Sequence, residues 1–383
     1  MTKKVAILTQ PLHDNYGGLL QAFALKETLK SMGLQPIIIN RRSLGARLYR
    51  QKISRIKNFL LNKEIGINKN LSQEQKKIIS KHTKLFQETY IPELGKLITN
   101  QKGMQKLNQE GIYAYIVGSD QCWRPRYSPL ITNYFLDFVK QNEHAKKISY
   151  AASFGTSEWE FDQQTTEKCS LLLHQFDAIS VREDSAVELI KNHLGRDDAI
   201  HVLDPTMLLN KEVYKEIVKK QNPETPNGNL KVYVLDKSSE KQTIIDYVAG
   251  SLNLRQFEVM PKKRLKDELV TQENINQFQY PCPSEWLHGF ETGEFVITDS
   301  FHGTVFSILN NKPFISLGNV NRGMSRFTSV LQMFGLEDRL LTNTSKESIN
   351  KILRNEINWD SVNATLKLEK EKSINFLRQG LGL

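Results

Sequence analysis

The run Phe295-Val296-Ile297-Thr298 breaks at Asp299-Ser300, and a helical pattern starts at once with Phe301-His302-Gly303-Thr304-Val305-Phe306. The pattern carries to Asn310, and Lys312-Pro313-Phe314-Ile315-Ser316-Leu317-Gly318 then reads as a second strand. Strand, turn, helix and strand in that order make a βαβ crossover. Such a crossover requires a parallel sheet, because parallel neighbours need a helix-length connection. Ligands of parallel sheets gather beyond the carboxyl ends of the strands. His302 falls there, in the first turn of a helix whose backbone N–H groups favour an anion. An isolated His so placed also reads as a polar residue near a helix cap.

The same punctuation recurs along the chain. Residues 5–9 read as a first strand, 22–32 as a helix closed by Gly33, and 36–40 as a second strand. His13-Asp14-Asn15-Tyr16-Gly17-Gly18 lies between the first strand and that helix. Gly17 and Gly18 allow a close backbone approach, or simply a tight turn. The GxGxxG fingerprint is missing, and Arg41 and Arg42 follow the second strand in place of an acidic residue, which disfavours a nicotinamide cofactor. Further strands are predicted at 112–117, 147–152 and 177–181, with Asp204-Pro205-Thr206 as a sharp exit after 201–203. Each of these strand ends delivers small, polar or charged residues, as a site on a parallel sheet requires. Residues 222–229, rich in Pro, Asn and Gly, read as a linker.

The expected architecture is α/β: two Rossmann-like domains facing across a cleft, with parallel sheets and a helical C-terminal tail. The boundaries are 1–221, with a basic helical insertion at 41–84, then the linker 222–229 and a second domain at 230–344. Helices at 345–383 are expected to pack back toward the first domain, with Trp359 as an anchor. A chain of 383 residues suits two such cores.

Charge is uneven. The net charge is +10, and residues 41–84 hold 13 Lys/Arg against two acids, a surplus that covers the whole excess. That implies an anionic partner or a solvated helical face. Basic residues interleaved with aromatics along one face are not evident, so no nucleic-acid partner is expected. Cys122, Cys169 and Cys282 are few and far apart, which suggests neither a disulfide framework nor a zinc site, and points to a reducing cytoplasm. No apolar run is long enough for a membrane span, and the opening Met1-Thr2-Lys3-Lys4 leads into a strand rather than a leader peptide. The remaining histidines show no ligand-like spacing, so no metal site is expected.

Several motifs together resemble the polysaccharide pyruvyl transferase family. They are Asn15-Tyr16-Gly17-Gly18 with Gln21, Val117-Gly118-Ser119-Asp120-Gln121 with Trp123, Tyr150-Ala151-Ala152-Ser153-Phe154-Gly155, Ser180-Val181-Arg182-Glu183, Asp204-Pro205-Thr206 and Thr298-Asp299-Ser300-Phe301-His302-Gly303. The resemblance implies a GT-B-like pair of domains. It also implies transfer of the enolpyruvyl group of phosphoenolpyruvate to a sugar, ending as a pyruvate ketal, in cell-surface polysaccharide synthesis. Phosphoenolpyruvate is then a donor substrate and no cofactor is needed. The donor site it implies falls on Arg182, His302 and Arg322. Ser300 stands where several members carry an arginine, so either Arg322, Arg326 or Arg182 supplies that charge or the donor differs. Ser300, Gly303 and Arg326 are grouped with the donor.

His302 is the expected acid for protonating the vinyl carbon, or else an imidazolium for the phosphate. Asp14, Asp120 and Asp299 are candidates for holding or deprotonating sugar hydroxyls, with Asp14 placed beside His302 as catalytic; each also reads as a turn or cap aspartate. Asn15, Gly17, Gly18, Asp120 and Gln121 are grouped with the acceptor. Trp123 and Tyr16 are able to stack on a sugar, although buried packing is commoner. The acceptor includes lipid-linked sugars among its options, with the 41–84 segment touching the inner face of the membrane. The alternatives are a GT-B-like glycosyltransferase with a nucleotide-sugar donor and a non-catalytic member that binds anionic glycans.

Overall fold

The computed structural model describes residues 2–42, 68, 71–140, 144–318 and 323–383. Arg322 and most of the basic insertion therefore lie outside the described residues. Two all-parallel sheets form the frame. The first has six strands in the order β2-β1-β3-β4-β5-β6, namely Gln35–Ile38, Lys4–Leu8, Ala114–Val117, Lys146–Ala152, Ala178–Val181 and Ile200–His201. The second has four in the order β10-β9-β7-β8, namely Phe314–Ser316, Phe295–Thr298, Leu230–Tyr233 and Gln256–Glu258. Central strands such as Ala114–Val117 and Phe295–Thr298 are buried throughout. Helices cover both faces of such sheets, so their strands are unbroken apolar runs rather than alternating ones.

Each sheet has one point where the order of connections reverses. In the first it lies between β1 and β3, and in the second between β7 and β9. Crevices for ligands open at such points. The two crevices face each other, and the carboxyl ends of all four strands border the same cleft through Gln10, Asp120, Leu235 and Ser300.

Aromatic packing joins the halves. Tyr16, in the helix Tyr16–Ser31, meets Tyr233 and Trp286 of the other domain at centroid distances of 6.3 and 5.7 Å. Trp123 stacks on Phe135 in the first domain's core and is fully buried. Trp123 is thus a core packing ring, whereas Tyr16, although buried, also borders a cavity of the cleft. The helix Trp359–Leu381 lies on the first sheet: Tyr113 Oη donates to the Leu381 carbonyl at 2.6 Å, and the Leu203 N–H to Ser373 Oγ at 3.0 Å. Trp359, its first residue, is half-buried.

One boundary differs informatively from the sequence reading. The helix expected from residue 22 begins at Tyr16, because Asn15 caps it by accepting from the Gly18 N–H at 3.1 Å. Gly17 and Gly18 are thus helical, in the first turn. The helices Gln73–Ile79 and Lys81–Tyr90, at the end of the basic insertion, reach the second domain. Ile79 joins an apolar cluster with Val270, Ile275 and Phe278, and its carbonyl accepts from the Tyr280 N–H at 3.0 Å. Arg41 and Arg42 are structural, donating to Asn133 Oδ1 and the Leu12 carbonyl, each at 2.9 Å.

Candidate active site

The cleft between the switch points holds a cavity of about 330 Å³. From the first domain Gln10, Asn15, Gly18, Asp120 and Gln121 line it, and from the second Asp299, Ser300, His302 and Arg326. Of the residues singled out in the sequence, then, Asn15, Gly18, Asp120, Gln121, Asp299, Ser300, His302 and Arg326 come together. Ser300 caps the helix Phe301–Leu309 through the Gly303 N–H, which points the start of that helix at the cleft.

Behind the cavity runs a buried charge network. Arg182 Nη1 bonds Asp204 Oδ2 at 2.9 Å, and Nη2 bonds Asp120 Oδ1 at 3.0 Å. The Arg182 side chain is 1% exposed, and its guanidinium sits 4.6 Å from the Phe301 ring centroid. Burial works against its charge, but Asp120 and Asp204 outweigh that and hold it above the usual guanidinium value. Arg182 does not line the cavity. It pairs with and fixes Asp120 and Asp204.

Asp204 is the hub. Its Oδ1 accepts from the Thr206 N–H and hydroxyl at 3.0 and 2.7 Å, and its Oδ2 lies 3.6 Å from His302 Nε2. Burial pushes this carboxyl up, yet His302, Arg182 and the Thr206 N–H prevail and hold it well below the ordinary carboxylate range. The 3.6 Å separation suits an ion pair but exceeds hydrogen-bond length, and Nε2 is buried with no hydrogen-bond partner. Asp204 was legible in the sequence as a sharp strand exit and as part of a family motif, but it was not singled out as a site residue. Asp120 is treated the same way: burial raises its pKa, while Arg182, His302 and Arg326 outweigh burial and lower it.

Arg326, in the helix Ser325–Met333, is the lining cation among the described residues. Burial and the nearby Arg182 push its guanidinium down to about 10. It remains charged at neutral pH, and an arriving anion relieves the cost of burying that charge.

Three of the grouped residues have other duties. Gly17 lies under His302, and a Cβ there would fall inside the imidazole. Gly303 packs on Thr298, whose side chain occupies the place of a Cβ. Asp14 stands apart: its carboxylate accepts from Ser80 Oγ at 2.9 Å and from the Thr83 hydroxyl, and it borders a neighbouring cavity. The structure therefore separates Asp14 from the cavity that holds His302. Asp299 is also occupied, accepting from the Leu235 and Asp236 N–H groups at 2.6 and 3.0 Å and from Lys241 Nζ at 2.6 Å. It ties the end of β7 to β9 at the cavity wall. Among the described residues no group of three or more His, Cys, Asp or Glu is placed to hold a metal ion.

Two parallel-sheet domains with facing switch points define a GT-B-like fold. The UDP-GlcNAc 2-epimerase from Neisseria meningitidis, bound to UDP-GlcNAc, shares it at a TM-score of 0.51 and 8% identity, covering 99% of each chain. The Arabidopsis thaliana protein UGT89C1, complexed with UDP-L-rhamnose, does so at a TM-score of 0.50 and 10% identity, covering 100% of each chain. No curated protein matches the sequence. The polysaccharide pyruvyl transferase family model matches residues 15–321, most of the chain, and the chain belongs to that family. The matched span includes Asp120, Arg182, Asp204 and His302, whereas Arg326 lies just beyond it.

Proposed function

We propose that the protein transfers the enolpyruvyl group of phosphoenolpyruvate to a sugar and closes a pyruvate ketal across two of its hydroxyls. The observation that carries this reading is the His302 imidazole, which stands 3.6 Å from Asp204 and lines a cavity that also presents Arg326 and a helix start. Such a cavity suits a small, doubly anionic donor. Arg326 and the first-turn N–H groups after Ser300 meet the carboxylate and phosphate. Arg182 supports them from behind the cavity. Arg326 thus takes the part of the arginine that Ser300 replaces.

A proton from His302 adds to the vinyl CH₂ and makes it a methyl group, leaving an oxocarbenium-like centre at the neighbouring carbon. A sugar hydroxyl attacks that carbon and returns its proton to the imidazole. A second hydroxyl then displaces phosphate, which leaves with the remaining proton. General acid catalysis of this kind contributes about 10²–10⁴-fold. Asp204 supplies a negative charge 3.6 Å from the ring.

Donor binding and turnover test this in one set of variants. Calorimetric titration of phosphoenolpyruvate is expected to saturate with wild type, to weaken at least about tenfold with Arg326→Gln, and to persist with His302→Gln while turnover falls. Failure of wild type to bind phosphoenolpyruvate, with binding of a uridine or guanosine diphosphate sugar instead, would overturn the reading. A cytoplasmic location accompanies it, in keeping with the free thiols of Cys122, Cys169 and Cys282. Among the described residues no helix is long and apolar enough to cross a membrane. Contact of the basic 41–84 segment with an anionic leaflet belongs to the same proposal, and loss of liposome binding at low salt on its deletion is the check.

A further inference from the structure

Two forces act to expel the Arg326 guanidinium from the cleft: burial, and the like charge of Arg182. Asp120 and Glu183 draw it back. Arg182 comes from the first domain and Arg326 from the second, and their guanidinium groups lie 4.6 and 5.8 Å from the centroid of the same Phe301 ring. A long side chain under such opposed forces keeps its place only where its backbone is held from outside.

The helix Ser325–Met333 is held in that way. Phe327, Val330 and Leu331 bury one face in the core that includes Phe301 and Val305. Arg326 and Ser329, one turn apart, share the face that meets the first domain. Ser329 Oγ accepts from the Asp184 N–H at 3.1 Å and donates to Asp184 Oδ1, and Ser329 is 2% exposed. Just ahead of the helix, the Gly323 backbone rests on the Gly155 carbonyl, where a Cβ would overlap the oxygen. Arg326 lies midway in sequence between these two contacts with the first domain.

Both contacts trace to one dipeptide at the end of β5. Glu183, fully buried, accepts from the Gly155 N–H at 2.8 Å and from Ser153 Oγ at 2.9 Å, which fixes the loop that carries the Gly155 carbonyl. Asp184 meets Ser329. Arg182, immediately before them, holds Asp120 and Asp204. The transfer chemistry gives no part to Glu183, Asp184 or Ser329.

We propose that Asp184 and Ser329 are positioning residues, a clasp between the domains that sets Arg326 in place for the donor. The inference rests on the transferase reading, in which Arg326 meets the donor, and goes beyond it by making one contact between the domains a condition of donor binding. Separation of the domains at this point breaks the clasp and withdraws Arg326 from Asp120 and Glu183.

Donor kinetics and calorimetry on Ser329→Ala test the clasp. The variant removes one hydroxyl and leaves Asp184 to accept from the Ser185 N–H. Donor KM and Kd are expected to rise at least about fivefold, with kcat at saturating donor within about twofold, since a positioned binding group acts on ground and transition states alike. A merely structural loss would lower the melting temperature and kcat and leave donor affinity unchanged. Asp184→Asn keeps an acceptor oxygen for Ser329 and is expected to hold donor affinity within about twofold of wild type, whereas Asp184→Ala follows Ser329→Ala. In the Arg326→Gln background Ser329→Ala is expected to have no further effect on donor affinity, because the two substitutions act through one contact. Unchanged donor affinity in Ser329→Ala, or the same fold loss with and without Arg326, would overturn the proposal. Failure of wild type to bind phosphoenolpyruvate strikes the transferase reading instead. Hydrogen exchange of the 325–333 segment then decides the clasp: faster exchange in Ser329→Ala supports it, and identical exchange overturns it.

Discussion

Gly17 has no side chain because the imidazole of His302, from the opposite domain, occupies the place a Cβ would take. The first turn of one domain's leading helix is thereby the seat of the other domain's buried histidine. Gly17→Ala forces the ring or the helix to move. Overpacking of this kind costs about 1–3 kcal/mol. A displacement of about 1 Å at the reacting group costs on the order of 10²-fold in rate. Thermal melting and transfer assays on the same variant are expected to show a modest drop in stability and a far larger loss of turnover. Unchanged turnover would mean that the position of His302 does not matter.

Arg182 bridges two buried carboxylates, Asp120 and Asp204, and its removal takes the guanidinium partner from both. Arg182→Met is expected to lose about 3–5 kcal/mol, the cost of breaking a buried ion pair from one side. The wild type carries a pH signature of the same network. Asp120 and Asp204 are held below their unfolded pKa, near 3.9. The unfolded chain therefore binds more protons in acid, and their contribution is present above about pH 4 and lost as pH falls through the folded values. Urea unfolding from pH 7 down to pH 3 is expected to show a steep loss in wild type and a shallower one in Arg182→Met.

Lys231 is buried on β7 with no carboxylate beside it. Its amine donates to the Trp286 carbonyl at 3.0 Å and lies 4.4 Å from the Phe290 ring centroid. Burial pushes it down to about 7. Between about pH 7 and 10.5 the unfolded chain binds the proton that the folded chain releases, so stability rises with pH across that window. Lys231→Met is expected to flatten the slope and to add about 1–4 kcal/mol at pH 7, since it replaces a buried charge with an apolar group. Guanidinium chloride midpoints at pH 7 and pH 9.5 measure both effects.

Asp14 separates a structural role from a catalytic one. Its oxygens serve Ser80 and Thr83 of the bridging helices. Asp14→Asn keeps one acceptor oxygen. It is expected to lose about 1–3 kcal/mol of stability at most, with turnover within about tenfold of wild type, short of what loss of a general base removes. A drop as large as that of His302→Gln would return Asp14 to the chemistry.

The alternation of apolar runs with polar strand ends was enough to predict two parallel-sheet domains. That signal is local: Phe295-Val296-Ile297-Thr298 is a buried strand whatever it packs against, and Ser300 caps the helix that follows it. Periodicity likewise placed His302 just beyond the carboxyl end of a strand, where the structure has it lining the cleft. It did not reveal which aspartate stands beside His302. Asp14, Asp120, Asp204 and Asp299 look alike as turn residues after a strand, and their roles diverge only through partners distant in sequence: Ser80 and Thr83, Arg182, Arg182 with His302, and Lys241. The glycines follow the same logic. Gly17 and Gly18 are adjacent and equally small, yet only the fold brings an imidazole against the first and a cavity against the second. Backbone conformation follows from neighbours along the chain, whereas the charge and contacts of a buried group depend on what folding packs around it, so the two sheets could be read from the sequence and the site had to await the tertiary structure.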